Sequence, residues 1–252
     1  MPEQSQFTSP AHIFLEEEVY RLGTSPGLRS LPPGPSRDFV VMSWGPVVYR
    51  TCYKPDTKDL LPNFLRCLNH AVSKSLGQTL TGSEEQLQLL IKTYSSKLFS
   101  SHENYADLDE DGVRQAFHDY KVTLSIPATD LPSRLRACLM VDDAVLSQLK
   151  AISDLCTTMS KDVDISRCWV KVVEENFPDL RLGERPYVVK AKEDKFDGED
   201  SFRGSYQGWT IVGLPAIVEV FDGMRQMKNL VEYHREGRVY LGHGEWSSMD
   251  FL

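Results

Sequence analysis

Residues 134–149 read RLRACLMVDDAVLSQL, and this stretch decides the fold. Over residues 134–142, apolar side chains occupy every second position, which predicts a strand with one apolar face. Over residues 144–159, they recur every three or four positions, which predicts a helix. A strand that runs directly into a helix indicates a chain of mixed α and β structure.

The same two periods recur on both sides of this stretch. They predict strands over residues 38–53, 167–175, 187–190 and 207–212. They predict helices over residues 11–22, 60–77, 83–98, 110–121 and 215–237. Residues 193–203 are too polar for a core and predict a solvated acidic loop, and residues 239–246 predict an extended segment. These elements lack the regular alternation of a doubly wound sheet. The sequence therefore predicts the α+β class, with a mostly antiparallel sheet on which the helices pack.

Proline marks the N-terminal region. Residues 1–37 hold six of the fourteen prolines, and proline removes a backbone donor and disfavours helix in the residue before it. We therefore predict an N-terminal extension with a Pro-rich linker over residues 1–37, followed by a single α+β domain over residues 38–252.

Composition limits the class of protein. The chain has 252 residues, of which 41% are hydrophobic, and a formal net charge of −8, so it can bury a large core but lacks the basic surface of a sequence-independent nucleic-acid binder. No apolar stretch approaches the ~18 residues of a membrane span, and the N-terminus lacks the pattern of a secretory signal. The five cysteines are widely spaced, as is typical of buried free thiols. These features predict a cytoplasmic protein with no nucleic-acid partner, no membrane span and no cofactor.

The motif DLDEDG at residues 107–112 matches the start of an EF-hand calcium loop. The twelfth position of such a loop supplies a bidentate carboxylate, but here that position is His118. We therefore interpret the motif as the acidic start of a helix, where carboxylates face the positive end of the helix dipole, and we predict no metal site. Because His118 lies off the apolar stripe of this helix, we expect a solvated surface residue.

Charged residues on the predicted strands are the candidates for a binding site, and no catalytic motif accompanies them. The candidates are Arg50, Arg134, Arg136, Asp142, Lys171 and His243. On a strand, Arg134 and Arg136 leave the same face, and a rigid pair of guanidinium groups can bind a carboxylate or phosphate. The alternative is that these cations pair with acids across the sheet, namely Asp142, Glu174 and Glu175. His243, between two glycines, suits either a site or a simple turn.

Three phrases carry a resemblance to a known group of proteins: GPVVYRT from Gly45, RACLMVDD from Arg136 and YQGWT from Tyr206. In this order and spacing they resemble an expanded family of filamentous-fungal cytosolic proteins with no assigned activity, over about residues 38–245. The resemblance implies a shared fold, and it implies no catalytic residues.

The sequence thus favours a binding or interaction module whose ligand is an unknown protein or a small anion. One alternative is a small-molecule enzyme, in specialised metabolism, with an anion-binding pocket on the sheet near Arg136. Another is a scaffold that oligomerises through an open sheet edge. An enzyme needs a concave pocket where titratable groups converge, whereas an interaction module needs an exposed apolar surface.

Overall fold

The computed structural model describes residues 8–21, 33–125, 132–157, 167–177 and 206–249. The short strand expected over residues 187–190 and the acidic loop expected over residues 193–203 lie outside these ranges. Among the described helices, none has both the length and the apolar character needed to cross a membrane.

Seven strands form one sheet. They are β1 (Val47–Arg50), β2 (Lys97–Phe99), β3 (Ala137–Val141), β4 (Trp169–Glu174), β5 (Trp209–Gly213), β6 (Arg238–Gly242) and β7 (Glu245–Ser248). Their order in space is β2-β1-β3-β4-β5-β6-β7. The pairs β1–β2, β1–β3 and β5–β6 are parallel, and the other three pairs are antiparallel.

Eight α-helices accompany the sheet in the described part of the chain. They are α1 (Pro10–Leu15), α2 (Pro35–Met42), α3 (Leu60–Thr79), α4 (Glu84–Thr93), α5 (His102–Tyr105), α6 (Glu110–Leu124), α7 (Asp143–Thr157) and α8 (Ile217–Arg225). The α+β class is confirmed, but the sheet is mixed rather than mostly antiparallel. Helices α3 and α4 connect β1 to β2, and α5 and α6 connect β2 to β3; such helical crossovers return the chain in its original direction.

Strand β3 shows how the sheet separates two cores. Its side chains alternate, so that Leu139 and Val141 join a core with α1, α3, α4, α7 and α8, whereas Cys138 and Met140 join a core with α2 and α6. All five residues of the strand are buried. The sheet therefore lies between two helical layers, and the strand pattern over the centre of the deciding stretch is confirmed.

Three further predicted elements have the wrong extent. The helix predicted over residues 83–98 ends at Thr93, and Lys97–Phe99 form strand β2. Residues 38–42 belong to helix α2 instead of a strand, because Pro35 occupies the first turn of a helix that begins there. The last helix ends at Arg225 rather than near residue 237. Met227 then takes a left-handed backbone conformation, with φ of 68°, and a separate short helical turn follows at Leu230–Tyr233.

Two predicted helix starts are confirmed. Ser83 and Gln86 form a capping box at the predicted start of α4: the Gln86 N–H donates to Ser83 Oγ, and the Ser83 N–H donates to Gln86 Oε1. In the EF-hand-like motif, Asp109 caps α6 by accepting the Gly112 N–H at 2.8 Å. The motif is thus an acidic helix start, as interpreted from the sequence.

Candidate functional site

The six candidate residues fall in three places. Asp142 follows the carboxyl end of β3, close to Arg50 and Lys171 on the two neighbouring strands. Arg134 and Arg136 precede the amino end of β3. His243 lies in the turn between β6 and β7.

At the carboxyl end of β3, the charges are paired with one another. Lys171 Nζ lies 2.6 Å from Glu110 Oε1 and 2.7 Å from Asp142 Oδ2. Burial would lower the pKa of Lys171, but the two carboxylates outweigh it and raise that pKa. Asp142 also caps α7 by accepting the Val145 N–H, and Arg50 donates to the Cys52 carbonyl at 2.7 Å. Lys171 is thus paired with acids, which is the second of the two alternatives that the sequence left open for these cations.

The amino end of β3 differs from the expected strand. Arg134 lies in a 3-10 helical turn, Ser133–Leu135, so it does not share a strand face with Arg136. Its side chain is only 2% exposed and donates to the backbone carbonyls of Val40 and Ser43 around the end of α2. Burial lowers the pKa of Arg134 to about 10, so the guanidinium stays cationic at neutral pH.

A carboxyl group from the N-terminal region completes this buried site. Glu18 is 1% exposed, and its Oε1 accepts the Ser133 N–H and the Ser133 hydroxyl, both at 2.7 Å. Burial raises the pKa of Glu18, and this effect outweighs the opposing influence of the nearby Arg134 charge and of the Ser133 donors. We call Ser133 and Arg134 the carboxyl site, because they offer two hydrogen-bond donors and a cation to one carboxyl group.

Glu18 belongs to a segment that packs along the rest of the protein. We call residues 8–21 the arm and the described residues from 33 onward the body. Helix α1 of the arm continues into a π-helical turn, Glu16–Tyr20, which carries Glu18. Phe14 packs edge-on against Trp44 of the body, with ring centroids 5.0 Å apart. The arm thereby places Glu18 over the carboxyl site.

Glu18 leaves part of the carboxyl site unused. Among the described residues, Arg134 Nε has no hydrogen-bond partner although it is buried. A void of about 10 Å³ borders Glu18, Ser133 and Arg134, which is about the space of one water molecule. Arg134 Nε is therefore a buried donor that Glu18 does not use.

Arg136 lies beside a second group of titratable side chains. Its Nη1 donates to the Met224 carbonyl at 2.6 Å. Glu174 is the last residue of the neighbouring strand β4, and the Tyr206 hydroxyl donates a hydrogen bond to it at 2.8 Å. Burial raises the pKa of Glu174, and the Tyr206 hydrogen bond and the Arg136 charge only partly oppose it.

The sequence predicts His118 as a solvated surface residue, but the structure places it in contact with a carboxylate. Its ring is 39% exposed, and its Nδ1 lies 2.8 Å from Glu175 Oε1. The other oxygen of Glu175 binds Lys121, whose pKa is lowered by burial. A carboxylate at the end of β4 thus holds two side chains of α6, which the helix pattern alone does not indicate.

His243 is a turn residue. Its φ of 51° is left-handed, between Gly242 and Gly244, which also have positive φ. The side chain is 77% exposed, and its backbone N–H donates to the carboxylate of Glu219 at 2.9 Å. These contacts serve the β6–β7 hairpin.

A shallow groove lies on another part of the sheet, over β5. Its volume is about 260 Å³, and it is lined by Gln207, Trp209, Ile211, residues 234–238 and Met249. Register places Trp209 opposite Val173, so the groove is on the same face of the sheet as α2 and α6. None of the six candidate residues lines it.

Sequence reasoning missed Ser133 and Glu18, which complete the carboxyl site. Glu18 follows two other acids, Glu16 and Glu17, and nothing in that run marks one member as buried. A usable signal is position: Glu18 is seven residues after Ala11 and four after Phe14, so it falls on the apolar stripe of its own helix. An acid on an apolar stripe indicates a partner for its charge.

Comparison with protein-family models, with curated proteins and with solved structures gave no match. Membership of the fungal family stays a prediction.

Proposed function

We propose that the protein is an interaction module that binds a carboxyl-bearing ligand at Ser133 and Arg134. The observation that carries this proposal is the pair of 2.7 Å hydrogen bonds from Ser133 to Glu18 Oε1, beside a buried guanidinium. A backbone N–H and a hydroxyl that donate to one carboxyl group, close enough to a buried guanidinium to feel its charge, form a recognition site for that group. A binding module for a protein or small anion is also the function that the sequence favours.

The test is chemical rescue of a Glu18→Ala variant. The substitution removes the carboxyl group and leaves the Ser133 donors and the Arg134 charge without it, so we expect a loss of about 2–4 kcal/mol. Acetate is small enough to refill the space that the lost side chain leaves. A site with a Kd of about 20 mM would gain about 1 kcal/mol in about 0.1 M acetate, which raises the Tm by about 2–4 °C for a chain of this size.

Three controls make the rescue specific. Acetamide also offers an oxygen to Ser133 but has no charge on which Arg134 can act, so we expect it to rescue less than acetate. Wild-type protein, whose site is occupied by Glu18, is expected to show no acetate effect. Glu17→Ala is the matched variant, because Glu17 is adjacent but pairs with Arg225 at 2.7 Å and is 40% exposed. Equal effects of acetate on the Glu18→Ala and Glu17→Ala proteins would contradict the proposal.

A small-molecule enzyme acting near Arg136 is the second candidate function. The observation that favours it is the buried Glu174, with a raised pKa, beside the Tyr206 hydroxyl; such a group is a candidate proton donor. Thermal melts of wild-type and Arg136→Ala proteins, with and without phosphate and small carboxylates, test it. Stabilisation of wild type that the variant loses would support this candidate, whereas no ligand effect in either protein would speak against it.

The cytoplasmic location, the absence of a nucleic-acid partner and the absence of a cofactor stay predictions of the sequence.

A further inference from the structure

The arm contacts the body through one face of a helix. Its buried residues are Ala11, Phe14, Leu15, Glu18 and Val19, which follow one another at the spacing i, i+3, i+4, i+7 and i+8. This is the pattern of an amphipathic helix that lies in a groove. The groove on the body is therefore shaped for a helix with small, aromatic and aliphatic anchors followed by an acid.

Charge complementarity fixes the orientation of that helix. Two adjacent acids of the arm lie near cations of the body: Glu17 pairs at 2.7 Å with Arg225, which also pairs with Asp222 of the body, and Glu18 lies in the carboxyl site, where the charge of Arg134 opposes the rise in its pKa. The body presents these cations although the whole chain has a net charge of −8. An acidic helix is thus the ligand that the charges of the groove fit.

The arm fills this groove incompletely. Among the described residues, Arg134 Nε is a buried donor without a partner, and a void of about 10 Å³ is bordered by Phe14 and Glu18 of the arm and by Arg134 of the body. The helix also widens into a π-helical turn at Glu16–Tyr20 where it delivers Glu18, and such turns are rare because their backbone geometry is less favourable than that of an α-helix. A helix that supplies an acceptor to Arg134 Nε would gain a hydrogen bond that the arm does not make.

We infer that the arm is a built-in competitor, and that the groove it covers binds an acidic amphipathic helix of another protein. This inference rests on the proposed function, since the partner's acid would take the place of Glu18 at Ser133 and Arg134. Binding then requires that the arm leaves. The apparent affinity of the full chain is the intrinsic affinity of the groove multiplied by the fraction of molecules in which the arm has left it.

The test uses the full chain and a fluorescein-labelled peptide with the sequence of residues 8–21, TSPAHIFLEEEVYR, measured by fluorescence polarisation. In the protein, Phe14→Ala weakens the arm, because it removes the ring that packs on Trp44. We expect this variant to bind the peptide at least about tenfold more tightly than wild type. Equal, weak binding to both proteins would overturn the inference.

Peptide variants show whether the bound peptide uses the carboxyl site. A peptide with Glu18→Ala should bind the Phe14→Ala protein about tenfold more weakly than the unmodified peptide, whereas a peptide with His12→Ala, which alters a side chain outside the buried face, should bind equally well. Equal affinities of all three peptides would overturn the inference. If the Phe14→Ala protein does not fold, the Glu18→Ala protein replaces it, because it keeps every apolar anchor and frees only the carboxyl site.

Two further outcomes separate the possibilities. Acetate rescue of Glu18→Ala without any peptide binding would support the proposed function and contradict the inference that the groove binds a helix. Failure of both experiments would contradict both the proposed function and this inference. Sedimentation of the wild-type and Phe14→Ala proteins reports exchange of arms between two copies. A dimer that the unlabelled peptide dissociates would assign the groove to a second copy of this chain and overturn the assignment to another protein.

Discussion

At the carboxyl end of β3, Lys171 lies between Glu110 and Asp142, and all three residues belong to the body. At the amino end, Arg134 and Ser133 receive their carboxyl group from the arm. Each end of β3 thus has a cation near an acid: Lys171 at the carboxyl end and Arg134 at the amino end. Only at the amino end does the acid come from a separate segment of the chain.

The difference follows from the connections of the sheet. The two parallel pairs around β1 bring the carboxyl ends of β1 and β3 together, and in open α/β sheets that crevice often binds a ligand. Here the side chains of β4, α6 and the start of α7 fill it with paired charges. Among the described residues, the acids of the body at the amino end, Glu174 and Glu175, contact Tyr206, His118 and Lys121. The acid whose charge acts on Arg134 comes from the arm. Lys171, which is paired with acids of the body, indicates a structural role. Arg134, whose acid comes from the separate arm, indicates a binding site.

Arg134→Ala gives the largest expected effect. The substitution removes the donors to the carbonyls of Val40 and Ser43 and leaves the carboxyl group of Glu18 buried without its cation. We expect a loss of about 3–5 kcal/mol in the free energy of unfolding, measured by urea titration. Arg66→Ala, at an exposed arginine of α3, serves as the control and should leave stability unchanged. A loss at Arg134 no greater than that of the control would mean that the amino end of β3 does not depend on this charge.

Lys171→Met sharpens the comparison from the other end. It leaves two half-buried carboxylates facing each other without their shared cation, so we expect a loss of about 2–3 kcal/mol. Lys54→Met is the matched control, because Lys54 pairs with Asp143 at the same edge but both side chains are largely exposed; such pairs contribute little. Urea titrations of both variants decide this, and similar losses in the two proteins would show that burial is not what distinguishes the pairs.

The sequence predicts the class of fold better than it predicts the site. Alternation in β3 and the start of a helix at residue 83 depend on neighbouring residues only, and both are confirmed. Strand direction depends on where the helical crossovers return the chain, and the local pattern of the sequence does not indicate that the sheet is mixed. The sequence predicts Arg134 on a strand, which is wrong, because the alternating pattern of residues 134–142 does not reveal that Ser133–Leu135 form a 3-10 turn. Glu18 and Ser133 are 115 residues apart, and no local pattern relates them.

Arg136→Ala should have a smaller effect than the changes at Arg134 and Lys171. Arg136 is partly exposed and donates a hydrogen bond to the Met224 carbonyl at 2.6 Å. Loss of that bond, and of a favourable charge near Glu174, is expected to cost about 1–2 kcal/mol in thermal or urea unfolding. A cost as large as that of Arg134→Ala would place a second essential cation at the amino end of β3 and weaken the contrast with the carboxyl end.

The smallest expected effect is the pH dependence that Glu18 gives to stability. Its pKa is raised in the folded protein above the ordinary value of 4.5, so between these two values the folded protein binds more protons than the unfolded chain. Stability of the wild type should therefore fall as pH rises through this window and should not change further on account of Glu18 above it.

Glu18→Gln keeps an oxygen that accepts from Ser133 but cannot ionise, so it lacks this component. We accordingly expect the free energy of unfolding of Glu18→Gln, minus that of wild type, to increase with pH from about 4.5 upward. Urea titrations of both proteins at a series of pH values measure the difference. A difference that decreases with pH would mean that Ser133 and Arg134 stabilise the carboxylate more than burial destabilises it, and the carboxyl site would then bind an ionised ligand more strongly than the raised pKa of Glu18 indicates.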